Sequence, residues 1–347
     1  MKSKFIWLTS LILITIFTNC KKSEQAQPSS SSTDQDPFMV SNSVSVADIG
    51  TTNKVITIAG KANTSGSADG AGSIARFNHP MGIQLLKDGS LYVADEYNDV
   101  IRKITPEYQV STENLNTGSY GSLLRPLYVG EDDKKNLHVI GLVEIGGGGT
   151  QQWLFDPGRN VLASDGGFYI THACLAKDPY ADFFWSSSGY GIFVSYADVL
   201  NIPQHSINES TLFGDPNEEN ERGFRLTGLF TGRNNVIYFA HNTGLYKHTP
   251  SGVDALINTG TPLGNITSIV LNADCKTMYL AADGYIKRIV NGTVSKLAGP
   301  NTAHPDGRDG VGFDADVNAN SLALGDHENA LYFSDTKTHT IKKLQLK

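Results

Sequence analysis

The sequence predicts an all-β fold, a single six-bladed β-propeller, and three observations carry that prediction. The stretch from Asp69 to Ile104 returns without a gap from Asp309 to Leu344, at a constant offset of 240 residues. Asp69-Gly70 falls on Asp309-Gly310, Asn78 on Asn318, Leu91-Tyr92 on Leu331-Tyr332, Asp95 on Asp335, Ile101 on Ile341 and Lys103 on Lys343. Between these copies, apolar runs that alternate as half-buried strands do begin at Leu91, Leu137, Phe183, Ile237, Met278 and Leu331, a mean step of 48 residues. Finally, each unit holds about four strand-like segments parted by turn residues. A four-strand unit repeating every forty to fifty residues or so is the mark of a propeller blade.

The units can be justified in order. In the fifth, strands are expected at Ile266–Leu271, Met278–Ala281, Tyr285–Ile289 and Val294–Leu297, separated by Asn-Ala-Asp, Ala-Asp-Gly and Asn-Gly turns. The sixth ends at Ile341–Leu346, its third strand, with no fourth. Val55–Gly60, near the other end, reads as that missing fourth strand and precedes any first strand. Pairing the two would close the ring and cover both sheet edges.

The segment ahead of the ring divides at two places. Met1–Lys4 is basic and Phe5–Phe17 is an apolar run of 13 residues, the length of a signal peptide and short for a bilayer span. It ends at Phe17-Thr18-Asn19-Cys20, followed by Lys21-Lys22. Residues 23–37 are almost devoid of apolar side chains and predict a polar tether, since they bury too little surface to offset the entropy of ordering. The expected organisation is a leader over 1–19, a tether over 20–45 and the propeller over 46–347.

Two resemblances follow from these residues. The Ala59–Ile104 unit and its C-terminal copy resemble NHL repeats. Phe17–Cys20 resembles a bacterial lipoprotein signal, with Phe17 and Asn19 departing from the residues usual there, and the Cys-Lys-Lys start is similar to outer-membrane lipoproteins of the Bacteroidetes type. They imply lipidation of Cys20, export and anchoring to the bacterial envelope, at the outer membrane. Propellers of this kind generally bind through the face bearing the loops between second and third strands and the connections into each first strand, and some of the broader group are metal-dependent lyases.

A net charge of −7, with no basic face visible in the sequence, argues against nucleic acid as a partner and specifies no other. On the expected face, Arg76, His79 and Arg308 are candidate cations for an acidic ligand or glycan, while Asp69 and Arg76, seven apart, could instead pair across their loop as scaffolding. His79, His172 and His241 come from three units and would satisfy an open zinc site, but no spacing supports one. Trp185 and Tyr190 would stack on a sugar if exposed, although Trp153 and Trp185 both read as core. Gly146–Gly149 lacks the Lys-Ser/Thr and helix of a phosphate loop, and Asp215–Glu221 lacks the spacing of a calcium loop. Cys174 and Cys275 show no metal or redox spacing and read as free thiols. With no GxSxG or other nucleophile context, the expectation is a monomeric, cofactor-free binding platform for a protein or glycan. The alternatives are a metal-dependent lyase or hydrolase at the channel mouth, with calcium or zinc, and a structural spacer.

Overall fold

The computed structural model describes residues 53–142, 150–164, 174–178, 183–188, 191–196, 202–208, 226–241, 243–249, 251, 254–257 and 259–346. By its internal contacts the chain divides into Met1–Gln35, which lies outside the described residues, and Asp36–Lys347, which holds every described strand. The expectations for Cys20, His172, Tyr190, Gly146–Gly149 and Asp215–Glu221 fall outside the described residues.

The described strands form six antiparallel sheets. Strand β1 (Lys54–Gly60) opens the chain but belongs to the last sheet. Sheet I contains β2 (Gly70–Ala71), β3 (Pro80–Leu85), β4 (Leu91–Asp95), β5 (Val100–Ile104) and β6 (Gln109–Thr112). Sheet II contains β7 (Leu124–Glu131), β8 (Leu137–Leu142), β9 (Thr150–Phe155) and β10 (Val161–Ser164). Sheet III contains β11 (Cys174–Lys177), β12 (Phe183–Ser188), β13 (Gly191–Tyr196) and β14 (Ile202–Asn208). Sheet IV contains β15 (Leu226–Thr231), β16 (Ile237–His241), β17 (Gly244–His248) and β18 (Asp254–Leu256). Sheet V contains β19 (Ile266–Leu271), β20 (Thr277–Ala282), β21 (Tyr285–Val290) and β22 (Thr293–Ala298). Sheet VI contains β23 (Gly310–Val311), β24 (Ala319–Leu324), β25 (Ala330–Asp335), β26 (Thr340–Gln345) and β1.

The architecture is an all-β propeller. Its first strands neighbour one another in the cyclic order β3, β7, β11, β15, β19, β24 and back to β3. They line one central cavity of ≈ 900 Å³, with Ile83, Val129, Ala176, Leu229, Ile269 and Leu322 among its walls. The ends meet as the sequence suggested, with Val55 opposite Leu344 and Gly60 opposite Thr340.

Local chemistry explains the strands and their tight returns. In sheet V, Asp283-Gly284 and Asn291-Gly292 all have positive φ (52°, 79°, 48° and 76°), as a two-residue turn matching strand twist requires. Register slips at the start of β3, β7, β15, β19 and β24 bend these first strands where they leave the mouth of the ring. Gly82 is needed for a different reason, because a Cβ there would lie 2.6 Å from the Leu127 carbonyl oxygen of the next first strand.

The core is a circle of interfaces between neighbouring sheets. Phe333, Leu331 and Leu344 of sheet VI pack with Ile286, Tyr279 and Leu297 of sheet V. Ile341 and Ala323 of sheet VI pack on its other side with Val93, Leu91 and Phe77 of the first repeat. Tyr92 and Ile101 of sheet I meet Val139, Trp153 and Phe155 of sheet II. Each fully buried Leu, Ile, Val or Phe among them contributes roughly 1.5–3 kcal/mol through burial, so sheets I and VI depend on both of their neighbours.

Candidate functional site

On the face that carries the turns between second and third strands, three carboxylates fix the entries to first strands. Asp95 Oδ1 accepts from the Asn78 N–H at 2.7 Å, Asp283 Oδ1 from the Asn265 N–H at 3.0 Å, and Asp335 Oδ2 from the Asn318 N–H at 3.0 Å. Each sits at or just beyond the end of a second strand, so the repeated motif holds the mouth of the ring in a defined shape.

A second repeated link joins neighbouring sheets. His79 and Arg125 both precede a proline, and both have positive φ (62° and 40°). The His79 N–H donates to His339 Nδ1 at 3.0 Å, and the Arg125 N–H donates to Asp99 Oδ1 at 2.7 Å. Asp99 and His339 occupy matching turn positions, again with positive φ (58° and 60°). Because a backbone N–H can only donate, Nδ1 of His339 is the acceptor and its proton resides on Nε2. Burial, and then the neighbouring His79, pull the His339 imidazole below its ordinary range.

Glu96 lies between the two pre-proline residues. Its side chain is buried, and its carboxylate takes His79 Nδ1 on one oxygen and the Arg125 guanidinium on the other, with Arg125 Nε at 2.9 Å. The His79 ring stacks on Tyr97 at 4.5 Å between centroids, and the Arg125 guanidinium lies 5.0 Å from the centre of the same ring. Hydrogen bonding to Glu96, opposed by a smaller desolvation, holds the Arg125 guanidinium above its ordinary range.

Beside this cluster is a recess of ≈ 620 Å³ lined by residues of sheets V, VI and I. Its walls include Asn265 and Asp283, Asn318 and Asn320, Thr336, Lys337 and His339, with His79 at the edge. The arrangement is rich in donors. Lys337 is exposed and has no ion-pair partner among the described residues. Asn318 Nδ2 is buried and finds no acceptor there. Among the described residues no three His, Cys, Asp or Glu side chains come together as a metal site would require.

Of the candidate ligand-binding residues named from the sequence, only His79 lines this recess among those described. Arg76 does not pair with Asp69. Its Nη1 instead donates to the carbonyls of Ser73, Ile74 and Ala75 at 2.9, 2.8 and 2.7 Å, capping its own loop. Asp69 is taken by Arg102, at 2.7 Å. Although burial opposes it as the largest single influence, hydrogen bonds from Arg102 and Thr112 hold the Asp69 carboxyl below its usual range. Arg308 is exposed and pairs with Asp306, which its guanidinium draws down to about 2. Trp185 is buried with Cys174, Leu226 and Phe239, its Nε1 donating to Asp178 at 3.1 Å, so it is core and offers no stacking platform. His241 closes β16 opposite Gly244 and lines neither cavity.

Glu96, Arg125, Asp283 and His339 are site residues that sequence reading passed over. The signal available for Glu96 was its position directly after the repeated Asp95. For Arg125 it was the shared Arg-Pro and His-Pro step at the head of two first strands.

No family model matches the chain, and no curated protein matches it. Solved structures do. The chain is similar to an auxiliary nutrient binding protein from Bacteroides ovatus, at 15% identity and a TM-score of 0.59, over 84% of this chain and 76% of that one. It is also similar to an auxiliary nutrient binding protein from Bacteroides thetaiotaomicron, at 12% identity and 0.59, over 84% and 75%. A streptogramin B lyase matches at 12% identity and 0.52, over 87% and 100%. At these identities the likeness is one of fold: the chain is an all-β propeller.

Proposed function

We propose that this protein is an envelope-anchored lipoprotein, tethered through Cys20, whose six-bladed propeller of NHL type is a binding platform for a glycan or protein. The observation that carries the reading is the recess shared by three sheets. Its walls are held in place by backbone hydrogen bonds to Asp283 and Asp335, while Lys337 and Asn318 Nδ2 are left without partners among the described residues. A preorganised, donor-rich cavity on rigid loops is what ligand recognition requires. The naming of two structural neighbours as nutrient binding proteins supports the same direction.

The test uses the full-length chain in detergent, on a glycan array and in pull-downs from envelope extract. Specific retention of a glycan or protein is expected, and silence in both assays overturns the platform and favours a spacer. Palmitate labelling that survives Cys20→Ser removes the anchor.

A second reading, a lyase or hydrolase at the mouth, rests on the Glu96–His79 pair. A carboxylate orienting an imidazole leaves the other ring nitrogen available as a general base. Under this reading, the complete protein turns over an acidic glycan, and His79→Gln abolishes turnover without abolishing binding. Turnover that persists in His79→Gln excludes this base.

A further inference from the structure

Within the platform reading, on which this inference rests, the geometry points to a specific class of ligand. We propose that the recess between sheets V, VI and I binds the carboxylate of an acidic saccharide, such as a uronic acid at a chain end or branch. The argument starts from what the walls offer. Asn265, Asn318 and Asn320 with Thr336 provide short amides and a hydroxyl, the groups that match sugar hydroxyls in size and in dual donor and acceptor character. Neutral saccharide recognition would need no more.

The charges select beyond that. Lys337 lines the recess, is exposed, and has no ion pair among the described residues. His339 has its Nδ1 occupied by the His79 N–H, so its Nε2–H is the donor that remains. His79 is similarly committed through Nδ1 to Glu96. Among the described residues the one carboxylate lining the recess, Asp283, already accepts the Asn265 N–H on Oδ1. Arg76 and Arg308, the cations expected from the sequence on this face, are absorbed by loop carbonyls and by Asp306. Among the described residues lining the recess, Lys337 is therefore the cation left for a ligand anion, and the His339 Nε2–H a second donor.

This assignment makes the turn of the sixth sheet the selectivity element. The matching turn of sheet I carries Tyr97 and Asp99 where sheet VI carries Lys337 and His339, so the repeat supplies an internal control. Asp99 performs the same backbone link as His339 with an oxygen acceptor. An asparagine at 339 keeps that link and tolerates the positive φ, but removes the Nε2–H.

The experiment uses the full-length protein in detergent on an array of neutral, uronate-bearing and sialate-bearing glycans. The strongest acidic binder and its methyl ester, which has the same sugar without the charge, are then titrated calorimetrically. Wild type is expected to prefer the acid over the ester by about tenfold or more, the scale of one charge-assisted contact. Lys337→Gln is expected to abolish that preference, His339→Asn to weaken acid binding about fivefold, and Asp283→Asn to tighten it by removing a like charge. Equal affinity for acid and ester, a preference that survives Lys337→Gln, or an array bound by neutral glycans alone overturns the acidic-saccharide assignment while leaving the platform standing. An array with no binder, together with a pull-down without partners, removes both.

Discussion

Sheets I, V and VI solve one packing problem with a buried cation, and sheet II solves it with a tryptophan. The slot is the third-strand position opposite the centre of the second strand. It holds Arg102 opposite Val93, Lys287 opposite Leu280 and Lys342 opposite Phe333, but Trp153 opposite Val139 and Tyr246 opposite Phe239 in sheets II and IV. Each cation donates to carbonyls of the connection leading into its own sheet. Arg102 reaches the carbonyls of Ala68 and Arg76, Lys287 that of Leu263, and Lys342 those of Gly307 and Asp316. In sheet II the connection is instead held by apolar contact, with Leu115 and Leu123 in the cluster around Trp153. The lesson is that polar loops over the recess need a polar staple beneath them. Where the staple is absent, the loop docks as ordinary core.

The sharpest way to break this comparison is Arg102→Met. It strands the buried Asp95, whose carboxyl burial already pushes above its usual range against the opposing pull of Asn78, Asn98 and Arg102. A loss of about 3–5 kcal/mol is expected, as for breaking other buried ion pairs, measured by chemical denaturation. Lys287→Met removes a staple whose hydrogen bond goes to the Leu263 carbonyl and not to an acid. Its cost should be near ~1 kcal/mol, the worth of an ordinary hydrogen bond. Equal losses from the two substitutions would mean that the Asp95 pairing adds nothing.

Acidity tests the recess side of the ring. The folded-state pKa of His339 is lowered, so the unfolded chain binds more protons between the two values. The stabilisation from this residue is present above the ordinary imidazole value of about 6.5 and is lost as pH falls from there through the lowered folded value. His339→Asn should flatten that slope in denaturation curves taken from pH 7.5 to 5, and an unchanged slope assigns it to another group. The smallest effect is expected on the side of the ring without staples. Desolvation pushes the Cys174 thiol up to about 12, and its Sγ donates to the Leu226 carbonyl at 2.9 Å. At pH 8, Ellman's reagent should leave Cys174 untouched in the native protein and modify it only after unfolding. Rapid native labelling of Cys174 would show that this interface opens.

Much of the fold was legible because a closed ring of repeats writes itself into sequence as a period. Asp95 and Asp335 were visible as one repeated position, as were Lys103 and Lys343. Those two lysines turn out to lie over Tyr92 and Tyr332, each 5.5 Å from the ring centre. The residues between the matched pairs, Arg102 and Lys342, are the buried ones. Strand alternation tells which residues share a face, but not which face a loop will cover, so a basic side chain reads as solvated until the loop is seen above it. The site was less legible for a related reason. Arg76 and Arg308 looked available because their consumers are backbone carbonyls and a near neighbour, neither of which leaves a pattern at a distance. Asp283 belongs to a turn shorter than those of the first and last units, and His339 falls on Asp99, a residue of another type, so an alignment of repeats flags neither.

The pairing of β1 with β26 also bears on how the molecule loses its structure. A linear stack of repeats can unravel from either terminus, one unit at a time, because its end units have a single neighbour. Joining the ends through hydrogen bonds gives every unit two neighbours, so partial unravelling must begin by parting this one seam. The seam is thus the gate for cooperativity, and weakening it would convert a single melting transition into a graded one.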